Sequence, residues 1–373
     1  MKKMWAFLGL LTLLVMGAPL GAQFSRTRPV RVSGGKDMEQ FRESWRVLDP
    51  ITRNNLTIYP VVSNLRVDTS EFLTLDEGLA SGSVRIGERG QMENSIYRPR
   101  NPRPLEPMEE RRQYSGGASV NELVLVNDSS RPLVLLAGEV VSGGKQNRII
   151  GADMVVPPKS DPLPLTVFCV EHGRWTSGGG EFGSAKAMAH PTVRREAQMS
   201  KSQSGVWDSV ARSSEAMGAA SPTSSYVDVI NSPKARRDLD NATSSIEVDY
   251  ERELRAQMRD RGAVGVVIAI DGELVWTDVF PSPDLFRKYW PKLLRSYVME
   301  AEGRSRDLKH VPSSKDAQAF LLEDQGRETV QVEPEAYRRI DISAESFEIV
   351  ALEALGRFRD SGLLIHFNKM ARD

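Results

Sequence analysis

The feature that most restricts the fold of this chain is a close succession of apolar segments: Glu122–Val126, Leu133–Val141, Ile149–Val156 and Leu165–Val170. They are rich in Val, Ile and Leu, and turn-forming stretches at Asn127–Pro132 and Pro157–Pro162 divide the outer pairs. Strand-like runs at such spacing, broken by turn residues, predict an antiparallel meander or sandwich. The middle segments lack polar alternation, so they are expected to be buried on both faces.

Strand signals recur on either side. Leu56–Val62 reads as a strand and its exit. Thr74 followed by Glu77 predicts a short helix with a capping box. Ser83–Gly87 reads as a further strand. Val264–Ile270 and Glu273–Val279 flank Asp271-Gly272, the favoured two-residue hairpin turn. Ser282-Pro283-Asp284 opens a helix with a wide apolar stripe from Leu285 to Val298. Ile246–Asp260 has apolar residues at helical spacing, and a helix is expected within Gln203–Met217. Towards the end, Ala319–Leu322, Glu328–Val332 and Tyr337–Ile342 read as strands or short pieces. A helix is expected over Ile349–Leu355 and a last strand over Leu363–Phe367. No internal repeat is visible.

The N-terminus carries a targeting pattern. Lys2 and Lys3 precede an uncharged apolar run, Met4–Ala18, and Pro19–Ala22 offers a small-residue exit. The run is short for a spanning helix and has the three-part layout of a secretory signal, with an uncleaved anchor as the alternative. The expected division is a signal over 1–22, a flexible leader over 23–40 and one domain over 41–373. Surface insertions are expected near the Pro-rich 97–117 and the Gly- and Ser-rich 177–225. A periplasmic or secreted location follows, with no membrane span once the signal is removed. Of 373 residues, 49 are basic and 50 acidic, so no global field draws the chain onto nucleic acid. A lone cysteine, Cys169, permits no intramolecular disulfide.

Two polar clusters sit at the ends of the central apolar runs. In the first, Gly143 and Gly144 let backbone amides turn toward an anion, and Lys145 and Arg148 add positive charge beside Gln146 and Asn147. The alternative is a tight turn whose side chains cap the sheet or pair with Glu139. The Walker pattern is absent, because Glu139 and Gln146 stand where it needs Gly and Ser or Thr. Glu139 lies inside an apolar run, so it is either near a strand end or paired, with Lys145 and Arg148 as the obvious partners. A shielded Glu139 could serve as an acid or base.

In the second cluster, Cys169 and Glu171 share a strand face and His172, Arg174 and Trp175 follow. Trp175 could stack on a ligand or pack at the loop entry. Cys169 lies in the most apolar segment, where an inert buried thiol is the usual state. No histidine pair or ligand-spacing motif supports a metal site, and nothing names a cofactor. Nucleophile-elbow, His-Glu-x-x-His and dinucleotide fingerprints are absent.

The words Leu-Ala-Gly-Glu-Val-Val-Ser-Gly-Gly-Lys-Gln-Asn-Arg (136–148) and Cys-Val-Glu-His-Gly-Arg-Trp (169–175) resemble an uncharacterised bacterial family, the ARG and rhodanese–phosphatase-superfamily-associated protein domain. The resemblance extends over most of 121–301. Residue by residue it marks Glu139, Gly143, Gly144, Lys145, Gln146, Asn147, Arg148, Cys169, Glu171, Arg174 and Trp175. Its name implies nucleotide or phosphate chemistry by association alone.

The expectation is therefore a β-rich α+β protein with an antiparallel core, a few packed helices and long surface insertions. The expected function is binding of an anionic phosphate- or carboxylate-bearing ligand through Gly143–Arg148, with Arg174 and Trp175 contributing. The alternatives are a structural or interaction protein of the bacterial envelope, and a hydrolase using Glu139 or Glu171. The partner would be an anionic small molecule or an envelope component.

Overall fold

A computed structural model describes residues 29–30, 36–88, 92, 122–171, 180–218, 225–257, 262–304, 308, 310–356 and 362–372. The signal at 1–22, most of the leader, the insertion at 97–117 and His172, Arg174 and Trp175 lie outside the described residues.

The first part of the chain runs β1 (Pro29–Val30), α1 (Lys36–Ser44), β2 (Trp45–Val47), β3 (Ile51–Arg53), β4 (Leu56–Ser63), β5 (Leu73–Thr74), α2 (Leu75–Ala80) and β6 (Val84–Gly87). The central part runs β7 (Glu122–Asn127), β8 (Leu133–Leu135), β9 (Glu139–Gly143), β10 (Arg148–Ile150), β11 (Met154–Val156), β12 (Leu163–Cys169) and β13 (Phe182–Met188). Helices follow: α3 (Pro191–Arg195), a π-helical turn at Glu196–Ser200, α4 (Gln203–Ala216), α5 (Tyr226–Asn231) and α6 (Pro233–Gln257). The last part holds β14 (Gly265–Ile270), β15 (Glu273–Val279), α7 (Pro283–Glu302), α8 (Ser314–Leu322), β16 (Gly326–Glu333), β17 (Tyr337–Ser343), β18 (Phe347–Ala354) and β19 (Leu363–Ala371).

These elements form an α+β fold of three sheets. A ten-stranded sheet runs β1-β16-β17-β18-β19-β15-β14-β4-β2, with β3 also on β4. A six-stranded sheet runs β13-β9-β10-β12-β7-β6, and a three-stranded one β11-β8-β5. Among the described residues every strand pairing is antiparallel except β5 with β8. Helix α7 packs on β14 and β4 of the large sheet and on β13 of the six-stranded sheet, so it carries side chains to both.

The local signals act as their chemistry requires. The Thr74 side chain accepts from the Glu77 amide and Glu77 accepts from the Thr74 amide, closing the capping box of α2. Asp271 and Gly272 have φ of 55° and 88°, as the tight β14–β15 turn demands. Ser282 caps α7, with Pro283 in its first turn.

The two middle apolar runs each split in two. Leu133–Val141 becomes β8 and β9, and Ile149–Val156 becomes β10 and β11. Strand β8 pairs with β11 in one sheet, and β9 with β10 in another. The segment 133–156 is thus one hairpin bent in both arms. Gly138 makes the bend in the first arm, at φ 90°, and its amide donates to the Ile150 carbonyl at 2.8 Å. A Cβ there would lie 2.4 Å from Arg194 Cγ, so only glycine fits.

Three expectations change. Ile349–Leu355, expected helical, lies in β18 up to Ala354, and that strand is buried along nearly its whole length between β17 and β19. Burial on both faces removes the alternation that marks a strand. Ala319–Leu322 belongs to α8, which the capping box of Ser313 and Asp316 starts. The stretch expected to cross the surface at 177–225 supplies, in its described residues, strand β13 and helix α3 besides α4, where a helix was expected. Their Val193, Val206 and Val210 join the main apolar core.

Candidate functional site

The β9–β10 hairpin presents two polar regions, one at each end. At the loop end, Gly143 and Gly144 take φ of 133° and 52°. The Gly143 amide donates to Asn147 Oδ1 at 3.3 Å, and the Lys145 amide to Glu88 Oε1 at 3.4 Å. Gln146, Asn147 and Arg148 are buried. Gln146 Nε2 donates to the Glu171 carbonyl at 2.9 Å, and the Asn147 amide to Glu171 Oε2 at 3.2 Å. Arg148 Nη1 donates to Gln146 Oε1, the Asn147 carbonyl and Cys169 Sγ, the last at 2.9 Å. Cys169 Sγ in turn donates to Gln146 Oε1 at 2.6 Å. Burial pushes the thiol up although Arg148 pulls it down, which leaves an unreactive thiol. The structure thus brings Gln146, Asn147, Arg148, Cys169 and Glu171 together, bonded mainly to one another.

Glu139 does not join them. It starts β9, and the length of that strand separates it from Lys145. Its expected partners, Lys145 and Arg148, are replaced by Lys292 of α7, whose Nζ lies 2.6 Å from Glu139 Oε1 and 2.8 Å from Asp76 Oδ2. Glu139 Oε2 accepts from the Leu136 amide at 2.8 Å. Burial and the nearby Asp76 raise the Glu139 pKa against the pull of Lys292. Lys292 stays charged: burial lowers its pKa, but Glu139 and Asp76 more than reverse that.

At the other end of the hairpin, the bends at Ala137 and Asp153 reach a second network that is closed to solvent. Asp153 Oδ1 accepts from the Ala137 amide at 2.7 Å, and His366 Nδ1 donates to Asp153 Oδ2 at 2.6 Å. His366 Nε2 donates to Asp278 Oδ1 at 2.9 Å. Arg194 grips Asp278 with two bonds of 2.9 Å, and its Nε donates to the Ala137 carbonyl. Trp276, Tyr297 and Asn368 also donate to Asp278. Burial alone would lower the His366 pKa, yet Asp153 and Asp278 lift it to about 9. Arg194 and His366 hold Asp278 well below the usual carboxylate range despite its burial. Two cations and two anions thus cancel in the interior, the condition under which buried charge is tolerated. The carboxylates sit on opposite nitrogens of His366 and do not converge. Among the described residues no cluster of His, Cys, Asp or Glu could hold a metal ion.

Asp153 also belongs to the wall of a cleft of about 890 Å³. One wall is the β11–β12 segment, with Val155, Leu165 and Phe168; the other is the β16–β17 hairpin, with Tyr337 and Arg339. Ala197 and Lys201 close one side, from the π-helical turn and the left-handed residue that ends it. Such turns are rare and recur at functional sites. Arg339 is 5% exposed. Its Nε donates to Asp341 Oδ1 at 2.7 Å, while Nη2 is buried without an acceptor.

Sequence reasoning passed over Asp153, Asp278 and His366, although a signal was present. Each is a titratable residue inside an apolar run, the same signal that singled out Glu139. Arg194 and Arg339 sit among other charges (Arg194-Arg195-Glu196; Arg338-Arg339) and carried none.

Fold and site together define a β-rich α+β protein with a large cleft beside a buried ionic network. The chain belongs to the ARG and Rhodanese-Phosphatase-superfamily-associated Protein domain family, whose model matches residues 44–368. No curated protein and no solved structure matches it. Among the described residues no helix is long and apolar enough to cross a membrane.

Proposed function

We propose that this protein binds a small anion-bearing molecule in the cleft between β11–β12 and β16–β17, with Arg339 as the anchor. The observation that carries this is the Arg339 guanidinium: cleft-lining, 5% exposed and with Nη2 lacking an acceptor. An unsatisfied buried donor costs about 1–3 kcal/mol, more for a charged group. A carboxylate or phosphate oxygen removes that cost once a small turn of the guanidinium brings Nη2 to the cleft. The cleft falls within the size range of small-molecule sites, roughly 300–1,000 Å³. Asp153 feels the Arg339 charge but directs its hydrogen bonds to His366 and the Ala137 amide, so it does not supply the acceptor that Nη2 lacks.

Binding at the cleft is favoured over binding at the Gly143–Arg148 loop. The loop's Gln146, Asn147 and Arg148 side chains bond mainly within the protein, and Arg148, whose Nε also lacks an acceptor, does not line the cleft, which supports a structural role for them. Binding is likewise favoured over hydrolysis. Glu139 faces Lys292, and Glu171 faces the Asn147 amide, so each candidate acid or base is occupied. The exported location expected from residues 1–22 remains part of the proposal. Fractionation of expressing cells tests it, and retention in the cytoplasm would remove it.

The binding test is a thermal-shift titration with sodium acetate and inorganic phosphate, using the wild type and Arg339→Met. A rise in melting temperature with at least one anion, absent in Arg339→Met, is expected. Equal responses in both proteins, or none in either, would overturn the proposal.

A further inference from the structure

The geometry points to a ligand of one particular class: an amphiphile with a single anionic head and an apolar body. This rests on anion binding at Arg339 and narrows what the anion is attached to. The deep part of the cleft is formed by Val155, Leu165, Phe168, Ala197 and Tyr337, all buried, with two charged side chains among them. Of those two, Asp153 is committed to His366, which leaves Arg339 as the deep cation with an unmet hydrogen-bond donor. The other charged lining residues, Lys159, Asp161, Lys201 and Glu333, are exposed at the rim, where both signs are present and water screens them.

A single anionic head matches the one deep cation, Arg339, among these apolar walls. A polyanion such as pyrophosphate, a nucleotide or citrate would leave further charges against apolar walls. It would also set them beside the Asp153 carboxylate, at the cost of their hydration. An alkyl or aryl body instead gains by contact with Leu165, Phe168 and the Tyr337 ring. Burial contributes about 0.8 kcal/mol per methylene, or about fourfold in affinity for each methylene that enters.

The experiment is a calorimetric titration of the wild type and Arg339→Met with acetate, hexanoate, decanoate, methyl decanoate, pyrophosphate and citrate. The expected result is affinity that climbs through the three acids by about fourfold per buried methylene. That binding is expected to be lost in Arg339→Met and weak for methyl decanoate and for both polyanions. A flat acid series, or Arg339-dependent binding that is tighter for pyrophosphate or citrate, overturns the amphiphile and leaves anion binding at Arg339 standing. A climbing series that is equal in Arg339→Met, or shared by the ester, marks unspecific adsorption and overturns the inference. No Arg339-dependent binding of any anion overturns this inference and the proposed function together.

Discussion

The two ends of the β9–β10 hairpin use similar residues to opposite effect. Each places a buried arginine beside polar partners. At the loop end Arg148 is 1% exposed, its Nη1 is shared among Gln146, Asn147 and Cys169, its Nε lacks an acceptor, and it lines no part of the cleft. At the cleft end Arg339 keeps one bond, to Asp341, and lines a space large enough for a ligand. The difference teaches that a dense polar motif and a binding site are separate things. The motif's side chains hold two turns in place, and the open donor stands on a distant strand that the bent hairpin meets.

The largest expected effect concerns the network behind the cleft. Asp278→Ala leaves Arg194 and His366 buried with one partner removed, and a loss of about 3–5 kcal/mol in urea unfolding is expected. A loss near zero would mean that the network does not brace the cleft end.

Next is the pH dependence. His366 has its folded pKa raised from 6.5 to about 9, so its contribution is complete below pH 6.5 and lost as pH rises through 9. A shift of that size corresponds to roughly 3 kcal/mol. Lys369 acts in the opposite sense above pH 8, because burial lowers its pKa to about 8. The difference between wild type and His366→Gln isolates the histidine, and that difference should shrink from pH 6.5 upward. A constant difference would place His366 in its neutral form.

The sharpest contrast comes from the same substitution at both ends. Arg148→Met removes the donor to the Asn147 carbonyl and the Cys169 sulfur and leaves Gln146 Oε1 with the Cys169 thiol alone, so a loss of about 1–3 kcal/mol with unchanged anion binding is expected. Arg339→Met removes a donor that had no acceptor along with one bond to Asp341, so stability should change by less than about 1 kcal/mol while binding disappears. Denaturant curves and anion titrations on the two variants decide it. The reverse pattern would return the site to the loop.

Much of the fold was legible because local chemistry decided it. Thr74 with Glu77, Asp271 with Gly272, and Ser282 with Pro283 each fixed a turn or helix start without distant help. Strand β18 was not legible, since Ile349–Leu355 is apolar on both faces and either period fits it. The split of the central runs was hidden because Gly138 bends the first of them only by virtue of the contacts that wait there, Arg194 among them. The site was the least legible part. Asp153, Asp278 and His366 come from three separate strand regions, and only the sheet order places them in line. Arg339 became a candidate because its unmet donor stands in the wall of the cleft, which a sequence does not record.

The most direct test of the cleft is hydrogen–deuterium exchange on the wild type with and without saturating decanoate. Added protection over residues 151–155 and 331–339, with 142–148 unchanged, is the expected result. Protection confined to 142–148 would contradict the account and place the ligand on the Gly-Gly-Lys loop.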